Sequence, residues 1–202
     1  MKITILGASG HGKVVADIAR LNGYDEITFL GDDVRVTKCG GYPVTGRCEE
    51  ALLHDNDIFV AIGNPTLRKK YMELFSDKSI KTLIHPDAVI AEDAEIGIGT
   101  VVMAGVVINP GTRIARGCII NTCSSVDHDC ILEDYVHISV GAHLSGTVEV
   151  GANTWIGAGA TVSNDVRICS GCLIGAGTVV IRDIEVPGTY IGVPAERLEK
   201  ME

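Results

Sequence analysis

Two short stretches of this chain hold residue types that do chemistry, at spacings where they can act together. In SSVDHDC, residues 124–130, one histidine, His128, stands between two aspartates, Asp127 and Asp129. A carboxylate within reach of an imidazole favours its charged form and fixes its tautomer, which raises its basicity. A histidine so supported takes a proton from an attacking amine or hydroxyl. In an ordinary loop the same residues would be a solvated turn, so the reading depends on what holds them. The second stretch, GASGHGKV at residues 7–14, places glycines and Lys13 between a strand pattern and a helical one. Its free amides and the positive helix end suit a phosphate. It satisfies the GxxxxGK of a nucleotide-phosphate loop, but Val14 stands where a Ser or Thr would hold magnesium. The spacing is not the GxGxxG of a dinucleotide fold either. Glycines that only permit a tight turn are the alternative.

The elements that must position these residues differ between the two parts of the chain. The 202 residues allow one large domain or two small ones. Apolar residues make up 46% and aromatics only 4%, with 24 glycines, so the core must be aliphatic and regularly layered. A net charge of −9 argues against a nucleic-acid partner. The apolar run at the N-terminus is too short for a signal peptide, and no stretch approaches the roughly 18 residues of a membrane span. Seven cysteines without a secretory signal read as reduced thiols of a cytoplasmic protein.

Up to about residue 80, KITIL, ITFLGDD and DIFVAIG read as short buried strands. Helical patterns follow the first and third, the later one opened by Pro65. This predicts a Rossmann-like βαβ domain with a parallel sheet over residues 1–80. From Ile84 to Val186 an aliphatic residue recurs at every sixth position, with a small residue four places later and often Gly, Asp or Asn between. A period of six fits neither a helix nor a simple strand; it fits a parallel β-solenoid over residues 81–202, each hexapeptide forming one side of a coil. The register makes Cys118, Cys130 and Cys172 small packing residues; Cys123 and Cys169 fall elsewhere in the repeat and have no evident role. Val126 points inward, so Asp127, His128 and Asp129 lie at the following turn.

The repeat resembles that of the hexapeptide-repeat acyltransferases, whose fold is a left-handed parallel β-helix with eighteen residues per coil. GASGHGKVVADIA, FLGDD, AIGNPTLRKK, DHDC and the closing GTYIGVPAERL narrow the resemblance to the bacterial sugar O- and N-acetyltransferases. That subfamily includes UDP-4-amino-sugar N-acetyltransferases and sialic acid O-acetyltransferases. The resemblance implies that Ser9, Gly10, His11, Gly12 and Lys13 line a nucleotide diphosphate and sugar. Asp32 and Asp33 would lie near the nucleoside, with Gly63 and Asn64 beside them. An acid at the end of the second strand is also where ribose hydroxyls are bound in related sheets.

In the resembled family a His–acid pair in this coil is the catalytic base, which gives His128 as base and Asp129 as its orienting partner. Asp127 is expected to be solvated. At eighteen residues per coil Gly146 falls beside His128, one coil on. Its amide would stabilise the oxyanion of the attacked thioester, as the family's glycine does. The donor implied is acetyl-CoA, with His137 and Gly146 helping to bind it and its pantetheine arm along backbone near Ala158 and Ala176. Members of the resembled family trimerise through the flat β-helix faces, so the resemblance implies a homotrimer with active sites between subunits. A zinc site of His128, His137 and His143 is a rival, but spacings of nine and six scatter them around the coil, so no metal is expected. His54 and His85 read as structural. The leading expectation is an acetyl-CoA-dependent N-acetyltransferase acting on a nucleotide-linked amino sugar, UDP-4-amino in type. The alternatives are O-acetylation of sialic acid or a related sugar, and a non-catalytic nucleotide-sugar-binding solenoid.

Overall fold

The computed structural model describes residues 1–53 and 55–199; His54 and the last three residues lie outside the described set. The chain forms two compact units, Met1–Pro86 and Asp87–Glu202.

In the first unit, strands β1 (Lys2–Leu6), β2 (Glu26–Leu30) and β5 (Asp57–Val60) pair in parallel, with β1 in the middle. Helix α1 (Gly10–Leu21) follows β1 and helix α2 (Pro65–Leu74) follows β5. Ile3, Ile5, Leu6, Phe29, Leu30, Ile58 and Phe59 are essentially inaccessible. Near-continuous apolar strands of this kind belong to a parallel sheet covered on both faces. Helix α1 buries Val15, Ala16, Ile18 and Ala19, the stripe its spacing dictates. Asn64 caps α2 by accepting the Leu67 N–H at 3.0 Å, with Pro65 at the first helical position.

The sequence reading did not include a hairpin, β3 (Lys38–Cys39) with β4 (Tyr42–Gly46), that extends the sheet beyond β2. Its signal was present, since Gly40–Gly41 is a two-residue link and both glycines have positive φ.

The second unit is a left-handed parallel β-helix. Two-residue strands stack at eighteen-residue intervals into flat sheets, as in Ile108↔Val126↔Leu144↔Val162↔Val180. All fourteen sixth-position aliphatics from Val102 to Val180 are at most 3% exposed. The series fails at its end: Val186 is 49% exposed, because the strand ladder has given way to the closing segment. The small position is also interior, with Thr100, Thr112, Cys118, Ser124, Cys130, Ala142 and Cys172 all buried. Three places after each inward aliphatic, the residue is left-handed, with φ between 55° and 74° at every sixth position from Gly99 to Gly177. Glycine takes that conformation without cost, and Asn or Asp with little. Here it is also taken by Cys123, Asp129, Tyr135, Thr147, Asn153 and Asp165.

Candidate active site

His128 and Asp129 occupy one such turn. The Nδ1 of His128 lies 2.8 Å from Oδ2 of Asp129. A carboxylate only accepts, so Nδ1 carries the proton and Nε2 is the nitrogen with the free lone pair. This hydrogen bond raises the imidazole pKa above its ordinary value; desolvation opposes it, and the charges of Asp127, Asp129 and Asp165 add to it. Asp129 bonds its own neighbour from a left-handed backbone, φ 58°, which is the conformation the coil demands there.

Asp127, expected to be solvated, is partly exposed and is also held by hydrogen bonds. Its Oδ1 accepts from Asn109 Nδ2 at 2.7 Å and from the His128 N–H at 2.8 Å. The Asn109 hydrogen bond and then the His128 amide hold its carboxyl below the usual carboxylate range. Asn109 was missed by sequence reading, although it stands one coil, eighteen residues, before Asp127.

Gly146 lies against the imidazole. A Cβ placed on it would come within 2.5 Å of both Nε2 and Cε1 of His128. The adjacent Thr147 N–H donates to the His128 carbonyl at 2.9 Å, which locks the two turns in register. Among the described residues the Gly146 N–H has no hydrogen-bond acceptor, and neither have those of Ala158 and Ala176. These amides share one place in the repeat, just past the ladder. At some coils that place is capped from a side chain, as Asn121 caps Thr122, Asp127 caps His128 and Glu133 caps Ala152, while Ala104, Arg116, Val140 and Ser170 are, among the described residues, uncapped there like Gly146.

Ala158 and Ala176 flank an apolar groove of about 270 Å³, lined also by Ser139, Trp155, Gly157, Leu173, Ile174 and Gly175. A side chain on Gly157 would meet Ile174 O at 2.5 Å, so the coils approach there as bare backbone. His137 stacks on Trp155, with ring centroids 5.2 Å apart and 11° between planes, and its Nε2 is 3.2 Å from Asn121 Nδ2. Trp155, absent from the sequence reading, donates Nε1–H to Ser139 Oγ at 2.6 Å. The groove suits a narrow apolar chain that carries carbonyl acceptors. His143 instead pairs with Ser125 Oγ at 2.8 Å, and the described residues gather no group of three or more metal-ligating side chains.

In the first unit the residues expected to bind the nucleotide all lie at the carboxyl ends of the parallel strands. Ser9 to Lys13 follow β1, Asp32 and Asp33 follow β2, and Gly63 and Asn64 follow β5. This is the edge where open α/β sheets bind ligands. Ser9 is the N-cap of α1 but its hydroxyl makes no capping bond, and no acid sits in the first turn, so that turn is open to an anion. Gly10 and Gly63 have nothing within 4 Å of where a side chain would go.

Gly12 and the Nε2 atom of His11 are interior. Gly12 is buried, and a Cβ on it would lie 2.2 Å from the Gly7 carbonyl oxygen and 3.0 Å from Phe29, so its smallness serves packing. Burial, and then the charge of Arg68, push His11 down to about 4, which leaves it neutral. Its Nε2 has no hydrogen-bond partner among the described residues. Arg68, which the sequence reading passed over, is 1% exposed and donates to the carbonyls of Ile62 and Gly63 at 2.8 Å each. It shapes the loop that presents Gly63 and Asn64. Asp32 is oriented by the Cys48 N–H at 3.1 Å and the Tyr71 hydroxyl at 2.9 Å, whereas Asp33 pairs with Arg35 in solvent.

A β-helix of hexapeptides with such an outward turn is the architecture of the hexapeptide-repeat acyltransferases. Residues 2–75 match the PglD N-terminal domain, and residues 147–182 match the bacterial transferase hexapeptide of six repeats. The acetyltransferase domain of PglB from Neisseria gonorrhoeae, solved with acetyl coenzyme A, is 41% identical over 98% of each chain, with a TM-score of 0.94. A variant of perosamine N-acetyltransferase from Caulobacter crescentus, solved with CoA and GDP-perosamine, is 35% identical over 99% of this chain and 98% of that one, with a TM-score of 0.94. UDP-N-acetylbacillosamine N-acetyltransferase of Bacillus subtilis is 37% identical over 111 residues; the match spans about half of each protein, 50% of this chain and 51% of that one. The chain belongs to the bacterial sugar acetyltransferases of the hexapeptide-repeat class, a family of acetyl-CoA-dependent enzymes.

Proposed function

We propose that the protein moves the acetyl group of acetyl-CoA onto the amino group of a nucleotide-linked sugar, with a UDP-4-amino sugar as the leading acceptor. One observation carries this reading: His128 is tied through Nδ1 to Asp129, while its Nε2 lies against Gly146, whose amide is unused. The sugar nitrogen attacks the thioester carbon and a C–N bond forms. His128 Nε2 takes the proton that the nitrogen loses. The Gly146 N–H stabilises the negative charge that gathers on the carbonyl oxygen. The C–S bond then breaks, and the CoA thiolate takes the proton back from the imidazolium. The first-unit edge formed by Ser9, Gly10, Lys13, Asp32, Asp33, Gly63 and Asn64 holds the nucleotide. His137, Gly146, Ala158, Ala176 and their groove hold the donor. Exposed Val140, Trp155 and Leu173 on the β-helix support a homotrimer with active sites between subunits.

A nucleotide-linked amino sugar is favoured as acceptor by the likeness, over nearly the whole of both chains, to perosamine N-acetyltransferase solved with CoA and GDP-perosamine. The test is CoA release from acetyl-CoA with UDP-4-amino sugars, GDP-amino sugars and sialic acid offered in parallel. Turnover with a nucleotide-linked amino sugar, lost in His128→Ala with the protein still folded, is the expected result. Turnover with sialic acid alone, or undiminished turnover in the variant, would overturn it.

A further inference from the structure

Beneath the histidine lies a second arrangement that the reaction scheme leaves unused. Asn109 sits in the coil before Asp127 and gives its Nδ2–H to Asp127 Oδ1 at 2.7 Å; the same oxygen accepts the His128 N–H at 2.8 Å. The Asp127 backbone is held as well. Its N–H donates to the Leu144 carbonyl at 3.1 Å, and its carbonyl accepts Thr112 Oγ1 at 2.8 Å. Part of this is ordinary turn chemistry, because Asn121 caps the following Thr122 N–H in the same way at 2.8 Å. A neutral Asn therefore suffices for the turn. What residue 127 adds is a negative charge next to the imidazole and a donor from the adjacent coil that holds that charge in place. The Asn109 bond also holds the carboxyl pKa below its usual range.

We propose that Asn109 and Asp127 are positioning residues for His128: the clamp between coils fixes the backbone of the base and holds a second carboxylate beside it. This rests on the reading of His128 as the base. Asp127 shares the task with Asp129, which bonds the ring directly, and with the more distant Asp165; these are the charged groups acting on His128. Their parts separate by substitution. Asp127→Asn keeps an oxygen for both donors and removes only the charge. Asn109→Ala keeps the charge and removes its tether.

The experiment measures kcat and kcat/KM for CoA release across pH 5.5–9, as about 0.5-unit steps, in these variants and in His128→Ala. Asp127→Asn is expected to keep its high-pH rate within about twofold and to move the acid limb of kcat/KM down by about half a pH unit, the effect of one nearby charge in a solvated site. Asn109→Ala is expected to lose about fivefold in kcat at every pH, with KM for acetyl-CoA unchanged. A wild-type limb in Asp127→Asn, or a wild-type rate in Asn109→Ala, overturns the proposal if His128→Ala is inactive. If His128→Ala turns over normally, the base assignment fails first and this proposal falls with it.

Discussion

The imidazole of His128 rests against the bare Cα of Gly146, and a Cβ there would intrude to 2.5 Å from Nε2. Gly146 is not among the residues of positive φ, so alanine is conformationally acceptable at that position. The only obstacle is the far end of a side chain, which turns away more readily than backbone does. Gly146→Ala should therefore fold with a melting temperature within about 3 °C of wild type. Its kcat should fall about 100-fold, because the base is pushed from its station. Thermal melts and CoA-release kinetics on one preparation check both halves.

Asp129 combines two demands, and substitutions at it should separate them. The hydrogen bond from His128 Nδ1 is the largest cause of that imidazole's raised pKa. The base is neutral only above its pKa, so the acid limb of kcat/KM in wild type should lie above the ordinary value of about 6.5. Asp129→Asn should bring the limb down towards that value and cost roughly 10- to 100-fold in plateau rate, since ring orientation is also lost. Asn tolerates the left-handed φ of 58°, whereas Asp129→Ala should lose about a further 1 kcal/mol of stability in urea melts.

Gly10 and Gly12 stand two residues apart in one motif with opposite surroundings. Gly12→Ala drives a methyl to 2.2 Å from a backbone oxygen that cannot move alone, and should destabilise the fold by about 2 kcal/mol or more. At Gly10 the space is empty, so alanine there should leave stability within about 1 kcal/mol and weaken nucleotide-sugar binding instead. Denaturant melts and titration calorimetry with a nucleotide sugar distinguish the two effects.

His11, held near 4 when folded, should make stability depend on pH. Above about pH 6.5 the histidine is neutral in both folded and unfolded chains, and its contribution is complete. As pH falls from there towards 4, the unfolded chain takes up a proton that the folded one refuses, and up to about 3 kcal/mol is lost. Between pH 6.5 and 5 ordinary carboxylates stay ionised, so the slope of stability against pH there should be shallower in His11→Gln than in wild type.

The six-residue period carried most of the β-helix, because a buried two-residue strand repeats its inward aliphatic at a fixed interval and nothing else in the chain competes with that signal. Stacking at eighteen then placed Gly146 against His128. The same arithmetic places Asn109 beneath Asp127, eighteen residues earlier in the column. Other features were less visible. Cys123, Tyr135 and Thr147 adopt the left-handed turn without the composition that announces it, since the coils above and below impose it. Arg68 reads as one more cation in NPTLRKK, yet Tyr71, Met72 and Phe75 follow it at three, four and seven places, on the buried side of the helix. The inaccessible Nε2 of His11 and the charge of Arg68 acting on it belong to the tertiary fold, which no local pattern reports.

The left-handed turn residue has a consequence for how such a site can arise. The scaffold repeats one demanding backbone conformation at every sixth residue, and glycine, asparagine and aspartate meet it most easily. Of these, aspartate alone brings a charge that can hold an imidazole. A histidine that appears by mutation just before such an aspartate therefore acquires its partner ready-made, with no further change to the backbone. A corner that already carries an aspartate, as at Asp165, is in this sense one substitution away from a supported base, and a bare glycine in the next coil decides whether it has room to use it.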